Sequence, residues 1–234
     1  MMSVPVNIIA VARLPVILIR IAVVIVSLGL WFWTQALLSR RVSAPSTSGG
    51  SGAIGDGIHR LTAKLNRDLQ LNVRRANALL ISSSLVIDAV GLWMIAISIL
   101  GPTIQPFLGL MMLFALRQLC QAFCALPPPE GMIWRSPGFP ALLVTYGTSE
   151  DLFFSGHTAM AVFGSICVAA AFRPIGIVAG VAIALFEMSV VLVLRAHYTM
   201  DVFAGAVTAF WIYHVSCQLA PTFDHLVSLL HHVR

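Results

Sequence analysis

Two short stretches in the second half of the chain decide how it is interpreted: FFSGHT at positions 153–158 and RAHYTMD at positions 195–201. In the second stretch a histidine is followed four residues later by an aspartate, and side chains at that spacing share one face of a helix. We therefore expect Asp201 to hydrogen-bond the ring of His197, which fixes the tautomer and makes the other ring nitrogen a better nucleophile. His157 adds a second titratable imidazole. Together the three side chains predict phosphoryl transfer through a phospho-histidine.

The composition places these stretches in a membrane. Of the 234 residues, 59% are hydrophobic and 10% are charged, and the mean hydropathy is +0.92. Soluble domains carry about 25% charged residues, so an ordinary soluble enzyme is excluded. The cysteines predict neither a metal site nor a disulfide framework, because all of them lie in apolar segments. They are Cys120, Cys124, Cys167 and Cys217.

Six apolar segments approach the ~20 residues that a helix needs to cross a bilayer. They cover 14–38, 76–100, 104–126, 156–172, 174–194 and 202–220. The first resembles a signal peptide, but its apolar run is too long for one, and the aromatic residues at 31–33 are typical of an interfacial belt. We interpret it as an anchor. The predicted fold is an all-α bundle of six transmembrane helices.

A polar segment separates the first two spans. Residues 42–57 are rich in Ser, Gly and Pro, which is typical of a flexible linker. Residues 58–75 place apolar side chains at helical spacing with basic side chains around them, which predicts a basic amphipathic helix on the membrane surface; a solvated helical extension is the alternative. The apolar residues are Ile58, Leu61, Leu65, Leu69 and Val73, and the basic residues are Arg60, Lys64, Arg67, Arg74 and Arg75.

The chain is thereby divided into four parts. They are an N-terminal segment with the first helix (1–41), the linker with the amphipathic helix (42–75), a five-helix catalytic core (76–220) and a tail (221–234). With six spans, the loops after the first, third and fifth lie on one side of the membrane, and all three proposed catalytic residues border those loops. Basic residues concentrate on the same side, which predicts a cytoplasmic orientation.

Asp88, Arg117 and Glu187 are ionisable residues inside predicted spans. Asp88 and Arg117 fall at one depth of an antiparallel hairpin, which predicts an ion pair between them. Glu187 precedes His197 by ten residues, or roughly 15 Å of helix. Intramembrane ionisable groups are expensive and usually face internal cavities. We interpret the three residues as the polar base of a lipid-binding cavity or as contacts of the lipid headgroup. The alternative is a structural cluster of ion pairs.

Over about residues 110–214 the chain resembles a known group of membrane enzymes. Four segments carry the resemblance: DLFFSGHT at 151–158, HYTMDV at 197–202, WIYH at 211–214 and LPPP at 126–129. They resemble motifs of the sphingomyelin synthases, and RAHYT at 195–199 is closer to the plant phosphatidylcholine:diacylglycerol cholinephosphotransferases. Both groups form the C-terminal branch of the lipid phosphate phosphatase superfamily.

The resemblance implies a transferase that moves phosphocholine or phosphoethanolamine from a glycerophospholipid to the hydroxyl of ceramide or diacylglycerol. His197 would attack the phosphorus, Asp201 would orient it, and His157 would act as the acid and then as the base. Arg195 is expected to steady the phosphate oxygens. The further expected substrate contacts are Asp151, Ser155, Arg117 and Glu187. No cofactor or metal is required, and the catalytic face would be lumenal or periplasmic.

The chain departs from the phosphatases of that superfamily. Those phosphatases share a Lys-x6-Arg-Pro motif and an Arg six residues before the nucleophilic His. This chain has neither feature, because its single lysine is Lys64 and the residue six before His197 is Val191. Because those cations hold a doubly charged phosphate, their absence favours a phosphodiester donor. A hydrolase of the same fold and a non-enzymatic scaffold or lipid transporter remain alternatives. The expected partners are the donor and acceptor lipids and the bilayer, without nucleic acid; an oligomer is left open.

Overall fold

The computed structural model describes residues 14–41, 54–124, 126–146 and 152–232. Over these residues the chain forms α-helices and no strand, so the predicted all-α class is confirmed. The helices are α1 (Leu14–Arg41), α2 (Gly57–Leu61), α3 (Ala63–Leu71), α4 (Val73–Leu100), α5 (Gln105–Phe123), α6 (Gly156–Ala171), α7 (Ile175–Val193) and α8 (Thr199–His232).

Five of these helices are long and apolar enough to cross a membrane: α1, α4, α5, α7 and α8. Their outer faces carry large exposed apolar side chains, such as Val26 in α1, Val178 in α7 and Phe210 in α8. Soluble proteins rarely expose large apolar side chains along several helices, so the chain is a multi-pass membrane protein. The remaining apolar helix, α6, has 16 residues.

Helix α6 lies at the centre of the bundle and packs against α4, α5, α7 and α8. Glycines allow this close packing. A Cβ on Gly109 of α5 would lie 2.1 Å from the ring of Phe163, and a Cβ on Gly164 of α6 would lie 2.1 Å from the side chain of Val90. The enclosure of α6 fixes the position of its first turn, which carries His157.

The segment between the first two membrane helices differs from the single helix predicted over 58–75. It forms α2 and α3, which are interrupted at Thr62, and it passes at Asn72 into α4. The basic side chains of this segment are exposed, and so are the apolar side chains of Leu61, Leu65 and Val73. The side that packs on the protein instead carries the buried residues His59, Asn66 and Leu69.

One end of the bundle is tied together by Arg20 of α1. Its guanidinium donates to the carbonyl oxygens of Ser98 (3.2 Å) and Gly101, and it pairs with Asp224 of α8 at 2.8 Å. Helix α8 continues past Pro221 to His232, so it extends beyond the predicted span end at 220. These contacts lie at the end opposite to the one that carries the two histidines.

Candidate active site

The two histidines meet in a narrow cavity where the loops of the other end converge. Its volume is about 50 Å³, which is enough for a few water molecules. Its charged or titratable lining side chains are Arg117, His157 and His197. The rest of the lining is mainly apolar and aromatic: Trp31, Ile87, Phe114, Trp134, Leu143, Leu152, Met160 and Ala196. A cation and two imidazoles in apolar surroundings form a site suited to a small anionic group.

The C-terminus of α7 explains how His197 is presented. Arg195 adopts a left-handed conformation with φ 53°. Its N–H donates to the carbonyl of Leu192 at 3.1 Å, and the N–H of Ala196 donates to that of Val191 at 2.9 Å. These two bonds form a Schellman motif, in which one left-handed residue ends the helix and reverses the chain. His197 therefore lies in the short connection between α7 and α8, outside both helices.

The ring of His197 is oriented by a backbone group. Its Nδ1 lies 2.9 Å from the carbonyl oxygen of Leu152 and 3.9 Å from the nearest carboxylate oxygen of Asp201. The predicted Asp201–His197 hydrogen bond is therefore wrong, because His197 precedes the helix and the i,i+4 rule does not apply to it. Since a carbonyl oxygen can only accept, Nδ1 carries the proton and Nε2 is the unprotonated nitrogen.

Asp201 both caps α8 and places a negative charge near His197. Its carboxylate accepts from the N–H of Tyr198 at 2.9 Å, as in the capping box of a helix N-terminus. It is buried and stays within 3.9 Å of the imidazole. A positive charge that develops on His197 is therefore stabilised by this carboxylate.

The surroundings keep His197 neutral. Burial lowers the pKa of His197 well below its ordinary value, and the positive charge of Arg117 and the neighbouring His157 imidazole lower it further, against a smaller opposing effect of the Leu152 hydrogen bond. The unprotonated Nε2 required of a nucleophile is thus the dominant form at neutral pH.

His157 occupies the first turn of α6. Ser155 caps this helix, because its Oγ accepts from the N–H of Thr158 at 3.3 Å. The Nε2 of His157 is buried and has no hydrogen-bond partner among the described residues. Trp134 packs edge-on against its ring, with centroids 5.1 Å apart. Because His157 also lines the cavity, its Nε2 is available to a group bound there.

Arg117 supplies the positive charge of the cavity. Its Nε donates to the carbonyl of Phe154 at 3.2 Å. It packs so closely on the first turn of α6 that a Cβ on Gly156 would lie 2.9 Å from Nε. A guanidinium beside a helix N-terminus attracts anions, since both carry positive charge.

Comparison with known proteins identifies the family of the chain. Residues 56–218 match the model of the AtPDCT1/2 family, the phosphatidylcholine:diacylglycerol cholinephosphotransferases. The chain belongs to this family. Its members are phosphocholine-transferring enzymes, and the matched residues include the whole cavity lining except Trp31. No curated protein and no solved structure gives a significant match.

The side chains of two predicted site residues, Ser155 and Arg195, hydrogen-bond to backbone groups of the protein. Ser155 is fully buried as the cap of α6, and its N–H donates to the carbonyl of Asp201 at 3.1 Å. Arg195 does not line the cavity: its guanidinium donates to the carbonyls of Glu130 (2.6 Å) and His59 (3.0 Å).

The remaining predicted residues are separated from the cavity or lie outside the described part. Glu187 is fully buried and accepts from the hydroxyl of Ser83 at 2.6 Å, away from the cavity lining. Asp88 does not form the predicted pair with Arg117, since its two oxygens accept from the N–H groups of residues 142 and 143 at 2.9 Å. Asp151 lies outside the described residues. Among the described residues, no group of three or more His, Cys, Asp or Glu is placed to hold a metal ion.

The sequence analysis missed three features of the site. They are the aromatic wall at Trp134, the Leu152 carbonyl, and a contact of Asp56 and His59 with the His197 loop. A carbonyl leaves no sequence signal. Asp56 does leave a sequence signal, because an Asp just before a helical pattern is a typical N-cap. The pattern predicts the cap of α2 but not that the same carboxylate also caps α8.

Proposed function

We propose that the protein is a phospholipid headgroup transferase that moves phosphocholine from a glycerophospholipid to a lipid hydroxyl through a phospho-histidine. The observation that supports it most is the neutral His197, with Nε2 unprotonated, in one narrow cavity with Arg117 and the unpartnered His157. Family membership supports phosphocholine as the transferred group. Diacylglycerol is the acceptor that the family suggests, and ceramide is the alternative.

In the first step Nε2 of His197 attacks the phosphorus of the donor. The phosphorus–oxygen bond to diacylglycerol breaks, and protonated His157 gives its proton to the departing oxygen. The bound phosphodiester anion favours the protonated form of His157. The imidazolium that forms on His197 is stabilised by the Leu152 carbonyl and by the charge of Asp201.

In the second step the direction of proton transfer is reversed. Neutral His157 takes the proton from the hydroxyl of the incoming lipid, and that oxygen attacks the phosphorus on His197. The bond between phosphorus and Nε2 breaks, which restores both imidazoles to their starting state.

Arg117, rather than Arg195, holds the phosphoryl oxygens in this proposal. Arg117 lines the cavity, whereas Arg195 is engaged with two carbonyls outside it. A delocalised cation stabilises the charge that develops on these oxygens in both transition states.

The proposal also includes the placement of the chain in the membrane. Helix α6 crosses as a sixth span in the fold of the lipid phosphate phosphatase superfamily. Helices α2 and α3 lie on the membrane surface, because they pass directly into α4 and expose leucines and basic residues together. The catalytic end faces the lumenal or periplasmic side, as the resemblance implies.

The function is tested with purified protein in vesicles that contain phosphatidylcholine labelled in both phosphorus and choline. With unlabelled diacylglycerol of distinct chain length, both labels are expected to move together to that lipid. Without acceptor, acid-labile label is expected on His197. Release of phosphocholine into water at the same rate with and without acceptor would instead identify a hydrolase, and no label movement at all would leave the scaffold interpretation.

A further inference from the structure

A single carboxylate outside the proposed chemistry joins two helices at the active site. Asp56 accepts from the N–H groups of Ile58 (2.9 Å) and His59 (3.1 Å) at the start of α2. It also accepts from the N–H and the hydroxyl of Thr199 at the start of α8, both at 2.7 Å. Asp56 therefore caps α2 and α8 at once, and Thr199 is two residues from His197.

His59 adds a second contact to the same loop. It is buried, and its Nε2 donates to the carbonyl of His197 at 3.0 Å. Its ring stacks on that of Tyr198, with centroids 5.8 Å apart. Arg195 in turn donates to the carbonyl of His59. The backbone is thus held at the carbonyl of His197 and at the N–H of Thr199.

These contacts matter because the ring of His197 has limited support of its own. One hydrogen bond, from Nδ1 to Leu152, orients the imidazole within the described residues. The direction of Nε2 then depends on where the backbone of residues 197–199 lies. Small displacements of a reacting atom are costly, since a misplacement of about 1 Å can lower a rate by about 100-fold.

We propose that Asp56 and His59 are positioning residues for headgroup transfer, which hold the backbone of residues 197–199 so that Nε2 of His197 is aimed at the phosphorus. This inference rests on the proposed function. It assigns a purpose in catalysis to the segment that precedes α4.

The chain offers a matched control for Asp56. Asp68 lies on α3, where its exposed side chain pairs with Arg75 at 2.9 Å. Asp56→Asn and Asp68→Asn make the same change of charge and size in the same segment, but only the first weakens a contact with the His197 loop. Thr199 provides a second, milder pair, because Thr199→Val removes the hydroxyl donor whereas Thr199→Ser retains it.

The test measures kcat and KM for the phosphatidylcholine donor together with hydrogen–deuterium exchange of peptides that cover 195–201. Asp56→Asn is expected to lower kcat by about 10- to 100-fold with KM nearly unchanged, and to speed exchange in those peptides but not in α5. Thr199→Val is expected to show a smaller loss of kcat, and Thr199→Ser and Asp68→Asn are expected to behave as wild type. His59→Phe, which keeps the stacking and removes the donor, should resemble Thr199→Val.

Different outcomes separate this inference from the proposed function. If wild type transfers headgroups and Asp56→Asn does so at the same kcat, or loses activity only in proportion to unfolded protein, the positioning role is wrong. If wild type transfers no headgroup, the proposed function fails, and the positioning of an active nucleophile fails with it. Unchanged exchange at 195–201 in Asp56→Asn would also overturn the inference, whatever the activity.

Discussion

The two ends of the helical bundle each contain an arginine, buried in the case of Arg20 and half-buried in the case of Arg117, and the two side chains have different surroundings. At one end Arg20 donates to carbonyls of the α4–α5 turn and pairs with Asp224 of α8. At the other end Arg117 faces a cavity that it shares with His157 and His197. The first arginine closes a contact among three helices, whereas the second contributes charge to a space that can receive a ligand.

This difference teaches how stability and chemistry are distributed along the membrane helices. An arginine whose two terminal nitrogens donate to a carboxylate and to backbone carbonyls holds helices together and leaves neither nitrogen to a substrate. A buried imidazole without a protein partner costs stability unless a ligand completes it. The end with Arg20 should therefore affect folding and the end with His197 should affect turnover, and the following substitutions test that separation.

The largest effect is expected from His197→Ala, which removes the nucleophile. Turnover should fall on the order of 10³-fold or more, while the protein remains folded in detergent. His214→Ala is the control, because His214 lies in α8, contacts Gln218 at 2.9 Å and does not line the cavity. Retention of more than about 1% of turnover in His197→Ala would contradict the phospho-histidine mechanism.

The next effect is expected at the opposite end. Arg20→Met removes the buried member of the pair and leaves the carbonyls of the α4–α5 turn and the half-buried Asp224 without the guanidinium as donor, which should lower the free energy of unfolding by about 1–3 kcal/mol. Activity per folded molecule should not change. Thermal melting in detergent and turnover of the folded fraction measure the two quantities. A loss of kcat without a loss of stability would show that the two ends are not separate.

A smaller effect on turnover is expected from Gly156→Ala. The added Cβ would lie 2.9 Å from Nε of Arg117, so the guanidinium must shift away from the phosphoryl site. We expect about a tenfold loss of kcat with little change in stability, since alanine is also a better helix former than glycine. Gly29→Ala in α1 is the control, because nothing lies within 4 Å of its added Cβ. Equal activity of the two variants would remove Arg117 from the proposed mechanism.

The pKa of His197 predicts a dependence of stability on pH. Burial, Arg117 and His157 lower that pKa in the folded protein, so the unfolded chain binds more protons than the folded one below pH about 6.5. Stability should therefore fall as pH decreases below that value, by up to about 1.4 kcal/mol per pH unit. His197→Gln should show a shallower fall in melting curves between pH 7.5 and 5. Equal slopes would mean that His197 is not held neutral.

The sequence was sufficient for those features that depend on length and connectivity. Apolar runs predicted the long helices, and the order of these runs along the chain predicted that the loops of His157 and His197 lie at one end. Residues that pair with backbone groups could not be predicted, because every loop residue offers the same N–H and carbonyl. Asp201 and Asp88 were both assigned side-chain partners, and both instead accept from backbone N–H groups. The position of Asp88 in the hairpin predicts that it lies at the same membrane depth as Arg117. It does not predict the direction in which either side chain points around its helix.

The smallest effect is expected from Glu187→Gln. Glu187 is fully buried between α7 and α4, where it accepts from Ser83 at 2.6 Å and does not line the cavity. This contact does not need a negative charge, because the amide oxygen that the substitution introduces also accepts from a hydroxyl, so stability should change by less than about 1 kcal/mol. Glu187→Leu leaves Ser83 without its acceptor and should cost about 1–3 kcal/mol. Neither should alter kcat or the preference among lipid acceptors. A changed lipid preference in Glu187→Gln would instead place Glu187 in the lipid-binding cavity, as the sequence suggested, and would extend the catalytic end of the bundle deeper than the observed cavity.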